Sequence, residues 1–192
     1  SPNLAVDGDN VYVVWTQNNG YYTSNEIFLY LRRSTDQGLN FGDPITIAQN
    51  ATDGIANMRL GMETVAAKGS YVYVVFMTED STVYLRRSAN SGGSFLAHQT
   101  MGGGAWWPNM VVDPANGLKV HVFWVYSYRY SSDGGATFTS PAAFMPFVGG
   151  ETGSTGVQMA LGLADTKHFT VPLRFHTSAY GWGDWDIFYR SL

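Results

Sequence analysis

Short runs of β-branched and aromatic residues, separated by clusters of Gly, Asn, Asp and Ser, set the rhythm of this chain. Val11-Tyr-Val-Val-Trp15, Val72-Tyr-Val-Val-Phe76 and Val120-His-Val-Phe-Trp124 are the most apolar of them. Such runs, bounded by turn formers, predict strands that pack inside sheets. Each is followed across a loop by a run that ends in Ser: Tyr30-Leu-Arg32-Arg33-Ser34, Tyr84-Leu-Arg86-Arg87-Ser88 and, more loosely, Tyr128-Arg129-Tyr130-Ser131. A shorter run comes first, Pro2-Asn-Leu-Ala-Val-Asp7 and Pro108-Asn-Met-Val-Val-Asp113, with Thr64-Val-Ala-Ala-Lys68 as the degenerate middle copy. No long 3.6-residue periodicity appears, and no stretch approaches the ~18 apolar residues of a membrane span.

Each unit then passes through one octapeptide: Ser34-Thr-Asp36-Gln-Gly38-Leu-Asn40-Phe41, Ser88-Ala-Asn90-Ser-Gly92-Gly-Ser94-Phe95 and Ser131-Ser-Asp133-Gly-Gly135-Ala-Thr137-Phe138. The residue types specify a turn with an anchor. Asp or Asn bonds the backbone two residues on, Gly takes positive φ, and Phe buries beneath. With the strand that follows, one unit reads strand, turn, strand, loop, strand, octapeptide, strand. Octapeptide spacings of 54 and 43 residues fall near the ~40–50-residue period of propeller blades, which have four strands each.

The octapeptide resembles the Asp-box of the BNR-repeat, sialidase-like β-propellers. The resulting expectation is an all-β propeller of four-stranded antiparallel blades in a single domain over residues 1–192. The blades fall at about 2–50, 57–101, 105–147 and 156–192. The fourth is incomplete: Val157–Leu161, Lys167–Val171 and Asp186–Ser191 supply three strands, and Ser191 stands where Ser34, Ser88 and Ser131 stand. A partial propeller, completed by further blades or a second subunit, is favoured over a small four-bladed toroid.

With 45% hydrophobic and 15% aromatic residues, the chain can bury a sizeable core. Three lysines and a net charge of -4 argue against nucleic acid, which needs a basic surface. No cysteine is present, so disulfides and thiolate metal sites are excluded. Asn50-Ala-Thr52 is an N-glycosylation sequon, expected in a loop between units. Extracellular or cell-envelope placement is what the family resemblance implies.

Sialidases of the resembled family clamp a substrate carboxylate with three arginines and use a Tyr–Glu pair and an Asp in catalysis. Guanidinium groups suit that clamp because they bind carboxylates in a bidentate way. Five of the eight arginines here, Arg32, Arg33, Arg86, Arg87 and Arg190, repeat in matching strand positions, which marks them as structural. Arg59 and Arg174 do not repeat and are the candidates. The family's Phe/Tyr-Arg-Ile-Pro motif is absent, and no Tyr matches the nucleophile. Arg59 and Glu63, four residues apart, either reach a ligand together or form a surface ion pair. Asp36, Asp133, Asp7 and Asp113 belong to the repeat, so Glu63 and Glu151, each beside a first strand, form the candidate catalytic pair.

Unrepeated aromatics are the candidate ligand-binding residues: Tyr21 and Tyr22, Trp106 and Trp107, Trp182 and Trp185. Exposed aromatic faces stack on sugar rings; Trp107 and Trp185 alternatively plug between blades, and Trp106 and Trp182 stand freer. His98, His121, His168 and His176 show no metal-ligand spacing. Asp9-Asn10, Asp80-Ser81 and Asp184 offer oxygens to Ca²⁺, but no run has the ligand density Ca²⁺ requires, so no cofactor is expected. Two functions follow. One is a non-catalytic propeller module for glycan or protein recognition or scaffolding; the alternative is part of a sialidase-like glycoside hydrolase.

Overall fold

The computed structural model describes residues 2–18, 26–104, 106–124 and 127–143 in full, and the backbone of four further strands between 151 and 191. Three antiparallel meanders follow one another along the chain. The first holds β1 (Asn3–Asp7), β2 (Asn10–Asn18), β3 (Ile27–Ser34) and β4 (Ile45–Gln49). After the short α1 (Asn50–Asp53), the second holds β5 (Thr64–Lys68), β6 (Tyr71–Met77), β7 (Val83–Ser88) and β8 (Gln99–Gly102). The third holds β9 (Asn109–Val112), β10 (Val120–Trp124), β11 (Ser127–Ser131) and β12 (Ala142–Ala143). The first strands pack in series, β1 beside β5, β5 beside β9 and β9 beside β14. Successive four-stranded sheets joined along their inner strands make a partial β-propeller.

The fourth sheet pairs β14 (Gln158–Leu161), β15 (Lys167–Thr177) and β16 (Gly181–Ser191) in antiparallel fashion. Its register extends the repeat: Ser191 lies opposite His168 as Ser34, Ser88 and Ser131 lie opposite Val11, Val72 and Val120. The β15–β16 hairpin is longer than the sequence pattern suggested. An additional strand, β13 (Glu151–Ser154), shares one edge of β15 with β14. Pro172 falls where that edge passes from β14 to β13.

The cores lie between sheets. Every residue of β6 after Tyr71 is buried. Val72, Val74 and Phe76 pack with Tyr12, Val14, Leu29, Leu31 and Ile47 of the first sheet, while Tyr73, Val75 and Met77 pack with Val120, Val122 and Trp124 of the third. Full burial of side chains of this size contributes roughly 1.5–3 kcal/mol each. The opposite face of the first sheet is uncovered, with Leu4 63% and Val6 58% exposed.

All three octapeptides close the same network. The Ser hydroxyl donates to Oδ1 of the Asp or Asn (2.6, 2.8 and 2.7 Å) and accepts the Gly N–H (2.9 Å each). The same Oδ1 accepts the backbone N–H of Asn40, Ser94 or Thr137, four residues on rather than the expected two. Gly38, Gly92 and Gly135 have φ of 87°, 81° and 75°, which strains any residue with a Cβ. Phe95 and Phe138 pack against the cores as anticipated, but Phe41 remains 38% exposed. Phe95 and Phe138 each pack into the core shared with the preceding sheet, and the first sheet has no preceding sheet among the described residues.

The Asn50 sequon is another correction. Asn50 opens α1 and is buried, accepting the Ile27 N–H (3.0 Å) and donating to Asn57 Oδ1 (2.8 Å). Its amide is committed to holding the β4–β5 connection and offers no accessible acceptor for a glycan.

Candidate functional site

Strand direction alternates within each sheet, so the octapeptide turns share one end of the molecule. The β4–β5, β6–β7 and β8–β9 connections share the other, here called the mouth. Arg59, Glu63, Trp106 and Trp107 all belong to mouth connections.

Residues 57–59 extend the second sheet along the tail of β6. Arg59 N donates to Met77 O (2.8 Å), Glu79 N to Asn57 O (2.7 Å), and buried Met58 bridges Thr78. The backbone therefore fixes Arg59 at the rim. Its Cζ lies 4.2 Å from the centroid of the Trp106 ring, and Nη2 reaches Glu79 O at 3.4 Å. The guanidinium Nε is buried without a hydrogen-bond partner. Trp106 is 39% exposed and packs against Trp107, with ring centroids 5.6 Å apart and tilted by 41°. Trp107 has φ of 49°, in the left-handed region. A bulky residue there stores about 1–3 kcal/mol of strain, which persists only where the surroundings impose it. Cation, exposed indole and strained neighbour together form a platform built from two separate connections.

Glu63 is only 3% exposed and does not meet Arg59 as an ion pair. Its Oε1 accepts the Thr16 N–H (3.1 Å) and its Oε2 the Thr16 hydroxyl (3.2 Å), which also accepts the Gly61 N–H (3.0 Å). Gly61, at φ of 74°, turns the chain between the two residues, so the helical rule that would put i and i+4 on one face does not apply. Desolvation pushes the Glu63 pKa up, against the opposing hydrogen bonds from Thr16. Glu63 thus joins the first sheet to the second through a carboxyl whose pKa burial raises.

In the fourth sheet, Glu151 lies opposite Phe175, one position from Arg174, and Arg174 lies opposite Trp185. Trp182 is opposite His176. The backbone thus brings these candidates to the part of the β15–β16 hairpin nearest its connecting turn; their side chains, and Tyr21 and Tyr22 entirely, lie outside the described residues. Of the Ca²⁺ candidates, Asp9 accepts from Gln37 Nε2 (2.9 Å), and Asp80 is engaged by Thr78 and the Thr82 N–H, which hold its carboxyl below the usual range; the side chain of Asp184 is outside the described residues.

Two of the repeated arginines, Arg86 and Arg87, have structural partners. Arg86 pairs with Asp53 of α1, and Arg87 Nη1 donates to Gly134 O (3.0 Å). Asp53 was missed because nothing in its local sequence marks it; only the fold sets α1 beside β7. His121 is buried, its Nδ1 bonded to the Tyr128 hydroxyl, and His98 packs edge-on against Tyr84.

No protein-family model and no curated protein matches this chain. Solved structures do. An α-L-arabinanase of Penicillium chrysogenum, complexed with arabinobiose, superposes with a TM-score of 0.66 at 10% identity, covering 100% of this chain and 62% of that one. The GH93 α-L-arabinofuranosidase of Fusarium graminearum gives 0.61 at 8% identity over 99% of this chain and 61% of that one. A PL25 ulvan lyase gives 0.63 at 14% identity over 98% of this chain and 50% of that one. Likeness at these identities shows the fold. The chain spans between half and two thirds of the length of these three proteins.

Proposed function

We propose that this chain forms part of a carbohydrate-active propeller of the glycoside hydrolase type, in which a glycan lies across the mouth on the Trp106–Arg59 platform. The platform carries the reading. An indole held open by a stacked guanidinium offers an apolar face for a sugar ring, and Arg59 supplies donors at its border. The superposed structures are an arabinanase, an arabinofuranosidase and a polysaccharide lyase, which supports a glycan ligand and favours hydrolysis over scaffolding. Both Glu63 oxygens are occupied by Thr16, so this enclosed carboxyl is proposed as a structural junction beneath the mouth rather than as the acid partner of Glu151.

The octapeptide network supports assignment to the Asp-box class, and the uncovered Leu4–Val6 face supports completion of the ring by a further sheet. Placement outside the cell or in its envelope belongs to the same proposal.

The test is titration of arabinobiose, xylobiose and β-1,3-galactobiose by calorimetry, with chromatography of products. Trp106→Ala should weaken binding about tenfold, as expected for an aromatic anchor, without changing the unfolding midpoint. Unchanged affinity would sink the platform. A second reading, a non-catalytic glycan module, is favoured by the enclosure of Glu63 under Thr16. Tight binding without products in the complete protein selects it.

A further inference from the structure

The two inter-sheet junctions differ at the octapeptide end. At the junction of the second and third sheets, Arg87 Nη1 donates to Gly134 O (3.0 Å) and Gln99 Nε2 to Gly135 O (2.8 Å). The Tyr73 hydroxyl goes to Gly117 O instead (2.8 Å). Two latches thus tie one sheet to the next octapeptide. At the junction of the first and second sheets both are missing. Ile45 holds the register position of Gln99, opposite Leu31 as Gln99 is opposite Leu85. Arg33 holds that of Arg87, opposite Tyr12 as Arg87 is opposite Tyr73. At this junction the Tyr12 hydroxyl, rather than Arg33, donates to Ser91 O (3.3 Å), the counterpart of Gly134 O.

An open cleft of about 590 Å³ remains, lined by Arg33, Thr35, Asp43, Ile45, Gly92 and Gly93 among others. Arg33 and Asp43 share its wall without forming an ion pair, and among the described residues neither side chain has a hydrogen-bond partner. The neighbouring Asp36 carboxylate is already bound by Ser34 and Asn40.

We infer that this cleft is a second carbohydrate site, at the opposite end of the molecule from the mouth, where a neutral sugar bridges Arg33 and Asp43 through adjacent hydroxyls. Hydroxyls both donate and accept, so one ring satisfies a guanidinium and a carboxylate that do not meet each other. The volume lies within the ~300–1,000 Å³ of small-ligand sites. Two carboxylates against one guanidinium disfavour an anion. Gly92 and Gly93 line the cleft, and a small zwitterion there would depend on exposed charge pairs of little worth.

The experiment is amide NMR of the full chain titrated with arabinotetraose and xylotetraose, and with glycine as the zwitterion control. The expected result is saturable shifts at Gly42, Gly92 and Gly93 with a tetraose and none with glycine. Asp43→Asn and Arg33→Gln should each weaken that affinity at least fivefold, while Trp106→Ala leaves it unchanged. Asp43 is exposed, so retained spectral dispersion in Asp43→Asn separates a lost site from a lost fold. Shifts confined to mouth residues, equal shifts with glycine, or unaltered affinity in Asp43→Asn would overturn the assignment. The Trp106→Ala arm keeps failure here distinct from failure of the mouth platform.

Discussion

Replacing Thr16 by Val removes one hydroxyl and leaves the shape nearly intact, which makes it a sharp test of the Glu63 junction. The hydroxyl donates to Glu63 Oε2 and accepts from Gly61 N. Losing a hydrogen bond to a carboxylate costs about 1.5–3 kcal/mol, and leaving a partly buried amide unpaired costs about 1 kcal/mol more, less the gain from burying a methyl, about 0.8 kcal/mol. The net expectation is a loss of about 2–3 kcal/mol, which for a chain of this length lowers the melting temperature by roughly 4–12 °C.

The pH dependence adds a second requirement. Glu63 is raised above its ordinary value in the folded state, so the folded protein binds the proton more tightly than the unfolded chain. Stability is therefore greatest with respect to this group below the ordinary carboxyl range and declines as pH rises through the shifted value. Removing the Thr16 hydroxyl takes away a bond that favours the charged form, so the destabilisation should be larger at pH 8 than at pH 4.5. Glu63→Gln should flatten that dependence. Urea unfolding followed by tryptophan fluorescence at both pH values measures it; a loss below about 0.5 kcal/mol, or one equal at the two pH values, would refute the reasoning.

Three further outcomes follow from the packing and the turns. Gly102→Ala places a Cβ 2.7 Å from Trp124 Cζ2 in the second core, and urea unfolding should show a loss of about 1–3 kcal/mol from overpacking. Ser88→Ala removes a buried hydroxyl that serves Asn90 Oδ1 and the Asn90 and Gly92 amides; a loss of about 1–3 kcal/mol and faster hydrogen exchange at Gly92 are expected. The Ser34 hydroxyl, followed by the Asn40 side chain and amide, depresses the Asp36 carboxyl to about 2, and Thr137 and Ser131 lower Asp133 further. Their contribution is complete above about pH 4 and lost as pH falls through about 2 for Asp36 and lower still for Asp133, so acid titration of the Asn40 and Thr137 amide shifts should track it in that order.

The strand order and the register of Ser34, Ser88, Ser131 and Ser191 were legible because runs of β-branched and aromatic residues repeat together with their turn chemistry. The platform was legible only in pieces. Trp106 and Arg59 each stood out as unrepeated, but their stacking joins residues from two connections, and no local pattern encodes that distance. Arg59 and Glu63 were read as reaching a ligand together or forming a surface ion pair; the turn at Gly61 sends Glu63 inward instead, a difference set by one backbone angle. Phe41 followed its repeat in sequence and departed from it in space, because burial depends on the neighbouring sheet as much as on the residue. The Asn50 sequon failed for a related reason: its amide is consumed by Ile27 and Asn57.

β6 carries a consequence beyond packing. Its alternate residues belong to two different cores, and the main contacts of each sheet are with the sheet before it and the sheet after it. The fold therefore behaves as a row of nearest-neighbour couplings, with β6 as the shared link. A substitution at Val74 should be felt in the first sheet and one at Val75 in the third, each nearly silent in the other. Coupling between distant sheets therefore passes through the second sheet, by β6 in the cores and by β5 along the inner strands.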